Sequence, residues 1–251
     1  MNENIYKKFA PIRLDQMDKV KLMNRVDQKF CINIALLPDL LDKIIDDYYI
    51  LEIDDVRLFP YSNTYFDTSE DLMYNDHVRG KSTRFKIRQR AYVESQSSYF
   101  EIKFKNNKGK TFKSRVQCGN DESRFSDKIS FFLEGHSPFK PEELVPVLKN
   151  KFKRITLVSK ALDERCTIDF GVSFQVDNSK VELNKIAIIE VKSEGYPKNS
   201  KIVQTLRDNH FNPQGFSKYI VGRSILDNTI KNNAYRTKLR QIEKISNIIN
   251  N

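Results

Sequence analysis

The sequence predicts an α+β fold built on a mostly antiparallel β-barrel with a charged lumen and helices packed outside. Three segments, 83–90, 99–105 and 112–116, alternate charged and apolar residues. Successive side chains of a strand point to opposite sides of its sheet, so each segment would carry a row of cations on one face. Turns separate most of the predicted strands, which favours antiparallel pairing. Neighbouring cation rows repel each other unless an anion lies on them, which predicts a polyanionic ligand, most economically phosphate chains.

The first part of the chain combines short helices with two strands. Residues 1–24 are polar and predict an N-terminal helical segment, and residues 25–33 predict the first strand. Leucine and isoleucine recur at helical spacing over 35–49, which predicts an amphipathic helix. A strand over 62–67 and a helix over 69–77 complete this part.

The strands of alternating charge come next. Residues 83–93 and 98–105 predict two basic strands, and 110–117 predicts the return strand. The intervening Asn-Asn-Lys-Gly at 106–109 is typical of a hairpin turn. Residues 120–151 contain three prolines and predict a helical insertion between strands rather than a second domain.

The last part of the chain returns to strands and ends in helices. Strands are predicted at 153–159, 165–170 and 185–193, and a helix at 200–209. These elements define one barrel domain at 25–224 and a C-terminal helix at 225–251.

The composition restricts the class of protein. The chain has 251 residues, 39% of them hydrophobic, and a net charge of +10 with a pI near 9.3. A charge of this sign is compatible with nucleic acid, phosphorylated substrates or an anionic membrane surface. The three cysteines lack metal-binding spacing, and their odd number favours a reducing compartment. No apolar run approaches the ~18 residues of a spanning helix, so a cytoplasmic location is predicted.

Short motifs recur in a defined order along the predicted strands. They are Arg25-Val26-Asp27-Gln28-Lys29, Asn63-Thr64-Tyr65-Phe66-Asp67-Thr68, Arg88-Gln89-Arg90-Ala91-Tyr92, Glu101-Ile102-Lys103, Lys110-Thr111-Phe112-Lys113-Ser114-Arg115, Arg165-Cys166-Thr167-Ile168-Asp169, Ile189-Glu190-Val191-Lys192 and Phe216-Ser217-Lys218-Tyr219. In order and spacing they resemble the triphosphate tunnel metalloenzymes of the CYTH-like superfamily. The closer resemblance is to the polyphosphate polymerase domain of the vacuolar transporter chaperone (VTC) family and its bacterial relatives, over about residues 25–222.

The resemblance implies a metal-dependent polyphosphate polymerase that transfers the γ-phosphate of ATP to a growing polyphosphate chain and releases ADP. Arginine forks and lysine charges hold phosphate oxygens, whereas a divalent ion needs carboxylate oxygens. The implied metal ligand is Glu190, with Glu101 as second choice, for Mn²⁺ or Mg²⁺. The implied catalytic residues are Arg88, Arg90, Lys103 and Lys218. The implied substrate-binding residues are Lys29, Lys86, Lys113, Arg115, Lys160, Arg165 and Ser217.

Two positions depart from the family's pattern. Val158 and Lys160 stand where the family often has Tyr and Arg, and Asp27 stands where Glu is usual. A lysine keeps the positive charge of an arginine but not its bidentate grip on phosphate.

Other functions are left open at this point. A triphosphatase would use the same tunnel with water as acceptor, and a non-catalytic module would bind polyphosphate without turnover. Nucleic-acid binding is disfavoured, because the aromatic residues alternate onto the face opposite the cations, whereas single-strand binders place both on one surface. Any membrane role would need a membrane-protein partner, since no spanning helix is predicted.

Several candidate residues also have a purely structural interpretation. Glu101 is as compatible with an ion pair to a neighbouring lysine as with metal binding. Asp169 is also interpreted as a residue that orients a lysine rather than binds metal. Ser217 is also interpreted as a turn residue, and Lys86 and Arg84 as solvated cations on an exposed sheet face.

Overall fold

The computed structural model describes residues 4–17, 20, 25–119, 125–195, 199–227, 229–230 and 233–246. Three predicted segments therefore fall partly outside the described residues. They are the N-terminal helical segment 1–24, the insertion 120–151 and the C-terminal helix 225–251.

Strands dominate the described part of the chain. They are β1 (Ala10–Ile12), β2 (Arg25–Asn33), β3 (Tyr48–Leu51), β4 (Phe59–Asp67), β5 (Arg84–Tyr92), β6 (Ser97–Lys105), β7 (Thr111–Cys118), β8 (Val145–Ser159), β9 (Glu164–Val176) and β10 (Ser179–Glu194). The α-helices are α1 (Asn4–Lys7), α2 (Leu14–Met17), α3 (Leu37–Asp42), α4 (Leu72–Val78), α5 (Asp127–His136), α6 (Lys201–Asp208), α7 (Lys218–Leu226) and α8 (Arg236–Ser246). Short 3₁₀ turns lie at Ile34–Leu36, Ile45–Asp47, Pro141–Glu143 and Asn233–Tyr235. Among these helices, none is both long and apolar enough to span a membrane.

The strands form one sheet in the order β2-β10-β9-β8-β4-β5-β6-β7, and every pairing along this path is antiparallel. The short strand β3 adds to β8, and β1 pairs with β3 in parallel. The predicted mostly antiparallel fold with surrounding helices is confirmed.

The sheet curls so that charges from distant strands meet. Burial, followed by repulsion from neighbouring cations, lowers the pKa of Lys86 in β5 and of Lys103 in β6. Lys29 of β2 is among those cations, although four strands separate β2 from β5 in the sheet. The concave face of the sheet is therefore the charged lumen that the sequence predicts.

Two predicted elements have different limits in the structure. The helix predicted over 35–49 ends earlier, because Tyr48–Leu51 forms β3, whose aromatic and β-branched residues pair with both β1 and β8. Strand β8 begins at Val145 rather than at Lys153, so in the described residues of the predicted insertion the helical part consists of α5 and one 3₁₀ turn. Pro146 is accommodated in β8 because it lies at a register shift opposite β4.

The convex face of the sheet carries much of the apolar core. Helices α3 and α6 pack with Phe30, Ile32 and Ile189 on one side. Helix α5 packs Ile129 and Leu133 against the outward-facing residues of β5 and β6. These contacts cover the apolar faces of the strands whose other faces are charged.

Helices α7 and α8 lie instead on the concave side. They pack Ile220, Val221 and Ile242 in one cluster with inward-facing residues of β2, β9 and β10, namely Cys31, Val172, Phe174, Ile186 and Ile188. We call these five sheet residues the apolar zone.

Helix α7 is held against the sheet at several points. The hydroxyl of Tyr219 donates to the buried carboxylate of Asp67. The guanidinium of Arg223 donates to the Val147 carbonyl at 3.1 Å and to Asp71 at 2.7 Å. A Cβ on Gly222 would lie 2.5 Å from the ring of Phe174, so only glycine permits this approach. These contacts fix the start of α7 within the curled sheet.

Candidate functional site

The charged part of the concave face is continuous with the apolar zone. In β10, Ile186, Ile188, Glu190 and Lys192 follow one another at period 2 without a register shift, so all four point inward. We define the charged zone by the inward polar residues of seven strands and of the start of α7. They are Lys29, Lys86, Arg88, Arg90, Glu101, Lys103, Lys113, Arg154, Arg165, Thr167, Asp169, Glu190, Lys192, Ser217 and Lys218 and lie on β2, β5–β10 and α7.

Glu190 lies between two lysines at the centre of the charged zone. Its carboxylate oxygens are 2.7 Å from Nζ of Lys29 and 2.5 Å from Nζ of Lys192. Burial raises the pKa of the Glu190 carboxyl, but the two ammonium groups lower it by more, so the pKa lies far below its usual value. Glu190 is therefore a permanent anion at neutral pH, as a metal ligand must be.

Asp169 organises a second group of cations. Arg154 donates to both its carboxylate oxygens, at 2.6 and 2.8 Å, and Lys218 of α7 donates to Oδ2. Burial opposes ionisation, but Arg154 and Lys218 lower the pKa of Asp169 to about 2. The structural interpretation of Asp169 as a group that orients a lysine thus fits this geometry.

Arg154 is a site residue that sequence reasoning missed. The strand was predicted to begin at Lys153, and the family's arginine position was assigned to Lys160. In the structure Phe152, Arg154 and Thr156 alternate on the inner face of a longer strand. That period-2 pattern was the available signal, since Arg154 and Thr156 share one face of the strand predicted at 153–159.

The carboxylate of Glu101 forms ion pairs with cations of the neighbouring strands. Arg88 donates to it from Nε at 2.8 Å, and Nζ of Lys113 lies 2.7 Å away. Burial raises the pKa of Glu101, whereas Arg88, Arg90 and Lys113 lower it to about 2. Only 3% of its side chain is exposed, so this geometry favours a structural partner of cations over a metal ligand.

Lys86 and Lys103 form the most anion-deficient part of the charged zone. Within the described residues, no ion pair joins either lysine to a carboxylate. Lys86 donates to Oγ of Ser217 at 2.9 Å, and Ser217 in turn caps the first turn of α7. Burial and repulsion from Lys103, Arg88 and other cations lower the pKa of Lys86 to about 7. An anion bound here would relieve that repulsion.

The remaining predicted site residues are placed differently. Arg165 lies in β9 opposite Lys192 of β10, inside the charged zone. Arg115 is exposed on β7, with its guanidinium 4.9 Å from the ring centre of Tyr99. Lys160 lies beyond the end of β8, exposed, with Nζ 5.8 Å from the ring centre of Tyr49. The structure therefore does not bring Lys160 to the site, and Arg154 supplies the charge of β8 instead.

The residues around Glu190 fit a metal ion that arrives with its substrate. Oγ1 of Thr167 is buried without a hydrogen-bond partner in the described structure, and Thr167 is paired with Glu190 across the sheet. No group of three or more His, Cys, Asp or Glu side chains in the described ranges could hold a metal. Mg²⁺ commonly binds through one or two carboxylates, waters and substrate phosphates, so one carboxylate is sufficient.

Comparison with known proteins agrees with this geometry. Residues 24–227 match the model of the VTC domain. The chain belongs to the VTC domain family. No curated protein shows significant sequence similarity to the chain.

Solved structures show the same fold. An adenylyl cyclase candidate from Hippeastrum with a dominant triphosphatase activity is 15% identical, with a TM-score of 0.52, over 80% of this chain and 95% of that one. An adenylate cyclase candidate from Bacillus halodurans is 11% identical, with a TM-score of 0.51, over 78% of this chain and 96% of that one. The VTC chain thus has the fold of the CYTH-like triphosphate tunnel proteins, as predicted.

Proposed function

We propose that this VTC domain is a metal-dependent polyphosphate polymerase that uses ATP. The observation that carries the proposal is the imbalance of the charged zone, where Glu190, Asp169 and Glu101 are each shared by at least two cations. Lys86 and Lys103 add charge beyond these pairs. A chain of phosphates is the ligand whose repeated negative charge matches such a surface.

The chain's own residues would act by positioning and by neutralising charge, which is most of what phosphoryl transfer requires. Arg88, Arg90 and Arg154 offer guanidinium forks, and Lys86, Lys103 and Lys218 offer point charges. A terminal phosphate oxygen of the growing chain would form a bond to the γ-phosphorus of ATP while the β–γ bridging bond breaks and ADP leaves. Mn²⁺ or Mg²⁺ held by Glu190, waters and phosphates would supply further charge neutralisation.

Triphosphate hydrolysis is the second candidate, and the triphosphatase activity of the Hippeastrum protein favours it. The two reactions differ only in whether water or a phosphate chain attacks the γ-phosphorus. VTC family membership supports the polymerase, because the family's motifs in this chain are those of polyphosphate polymerases. A cytoplasmic location and a membrane-protein partner stay predictions.

The test is to incubate the purified protein with ATP and Mn²⁺ or Mg²⁺ and to separate ADP, free phosphate and acid-labile polymer. Polymer with matching ADP is the expected result. Free phosphate without polymer would establish a triphosphatase instead. Tight polyphosphate binding with neither product would show that the tunnel is a binding module.

A further inference from the structure

A row of aromatic rings crosses the concave face beside the charged zone. Phe152 of β8 stacks on Tyr61 of β4 with ring centres 5.2 Å apart. Tyr61 contacts Tyr92 of β5 at 5.1 Å, and Tyr92 contacts Tyr99 of β6 at 5.8 Å. The sequence-based expectation that aromatic residues lie opposite the cations is therefore wrong for these four rings, which share the cationic face.

The aromatic row runs away from the start of α7: Nζ of Lys218 lies 4.4 Å from the ring centre of Phe152, and Tyr92 and Tyr99 form the far end of the row. Lys86 of β5 touches Ser217 at the start of α7, whereas Tyr92 lies six residues further along the same strand. At about 3.4 Å per residue, the two positions are roughly 20 Å apart. The start of α7 thus lies against Lys86 and Phe152, whereas Tyr92 and Tyr99 border the charged zone at the end where β5 finishes and β6 begins.

Arginines accompany the rings. The guanidiniums of Arg90 and Arg154 lie 5.4 and 5.2 Å from the ring centre of Tyr61. Tyr61 is thus already covered by Phe152 and by cations. Tyr92 meets Tyr61 and Tyr99 at interplanar angles of 60° and 85°, so neither neighbour stacks parallel on it. Exposed Arg115 covers Tyr99 at 4.9 Å.

We propose that Tyr92, Tyr99 and Arg115 bind the nucleobase of a nucleoside triphosphate. Aromatic rings and guanidinium planes both stack on bases. On β6, Tyr99 is four residues, or about 13 Å, from Lys103, so a base at the rim leaves its phosphates in the charged zone. This inference rests on the proposed function, since it requires the triphosphate to occupy that zone.

A single base fits this rim better than a nucleic-acid strand does. Phe152 and Tyr61 are already covered by each other and by cations, so Tyr92 and Tyr99 offer a platform for one base and not for successive bases of a strand. Binders of single strands instead provide aromatic residues along a basic groove.

The first test needs no variant. Isothermal titration in EDTA would compare ATP with inorganic triphosphate on the wild-type protein. ATP is expected to bind roughly ten-fold more tightly, because base stacking on aromatic side chains has about that effect. Equal affinity would overturn the inference and leave the proposed function standing. Failure of both ligands to bind, in EDTA and with Mg²⁺ added alike, would overturn the proposed function and the inference with it.

The second test replaces the rings. Tyr92→Leu and Tyr99→Leu are each expected to weaken ATP binding several-fold and to leave inorganic triphosphate binding unchanged, whereas Tyr99→Phe retains the preference for ATP. Phe112→Leu is the matched control, since Phe112 lies on the opposite face of β7 beneath a comparable cation, Lys110, 5.5 Å from its ring centre. Loss of both ligands in parallel would contradict the assignment. The assignment would also be contradicted if a single-stranded oligonucleotide without a triphosphate competed as well as ATP does.

Discussion

The charged zone and the apolar zone lie on the same face of the same strands, yet they are completed differently. In β10, Ile186 and Ile188 are covered by α7 and α8, whereas Glu190 and Lys192, two and four residues later, face the tunnel. The apolar zone is thus covered by helices of the same chain. The charged zone is balanced only in part, because its cations outnumber its carboxylates and Lys86 finds a neutral hydroxyl rather than an anion.

The two zones therefore respond differently to solution conditions along a single strand. Burial of apolar surface stabilises one half independently of pH. Ion pairs in the other half are strong only where a buried carboxylate holds its cations together, and they respond to pH and to bound anions. Four substitutions would break or sharpen the comparison.

The largest effect on stability is expected from Asp169→Asn. The change leaves Arg154 and Lys218 partly buried without their shared anion, so the free energy of unfolding should fall by about 3–5 kcal/mol. Chemical denaturation would measure it. Glu182→Gln is the control, because it removes a carboxylate from an exposed ion pair with Lys180 and should change nothing measurable. A similar result for both variants would show that Asp169 is not a structural anion.

Glu190→Gln should act on catalysis rather than on binding. It removes the carboxylate proposed to hold the metal, so product formation from ATP should fall on the order of 10²-fold. Binding of inorganic triphosphate in EDTA should be retained or tightened, since Lys29 and Lys192 are released from Glu190. Initial rates and titration calorimetry would measure the two effects. Unchanged turnover would favour the binding module.

Gly222→Ala tests the apolar zone. Its new methyl group would lie 2.5 Å from Phe174 and 2.7 Å from Leu148, so overpacking should lower stability by about 1–3 kcal/mol. Gly135→Ala in α5 meets nothing within 4 Å and should leave stability unchanged or raise it by up to about 1 kcal/mol. Thermal unfolding of the two variants would decide between them. Equal midpoints would mean that α7 does not depend on this close approach.

Lys86→Met is the substitution whose sign is most informative. The pKa of Lys86 is lowered to about 7 in the folded protein, so above pH 7 the unfolded state binds more protons than the folded state. The contribution of Lys86 to the free energy of unfolding therefore becomes more favourable as the pH rises from about 7 towards 10. The variant should therefore unfold at a higher temperature than wild type at pH 6, with the gain shrinking at alkaline pH. It should also bind inorganic triphosphate more weakly. Unfolding scans across pH, with and without triphosphate, would contradict this assignment if the variant were less stable at pH 6.

Much of the charged zone was predictable because strand periodicity is local. The aligned cations of β5, β6 and β7 follow from alternation, whereas Glu190 was identified from the motif that resembles the family's. Arg154 lies within the strand predicted at 153–159 and escaped because the family's arginine position was assigned to Lys160, which lies beyond the end of β8. The approach of Lys29 to Lys86 depends on the curl of the whole sheet. The aromatic row depends instead on the register of neighbouring strands, in which Tyr61 is paired with both Tyr92 and Phe152.

Ser217 connects the charged zone with α7, the helix that covers the apolar zone, through one oxygen atom. Its Oγ receives the ammonium of Lys86 and also accepts from the backbone N–H of Ile220 in the first turn of α7. The first turn of α7 and the ammonium of Lys86 therefore share Oγ of Ser217 as a hydrogen-bond acceptor. A phosphate bound in the tunnel would draw that ammonium towards itself. The rate of amide hydrogen exchange in that turn therefore reports whether the tunnel is occupied, and it does so without direct contact between the ligand and these amides.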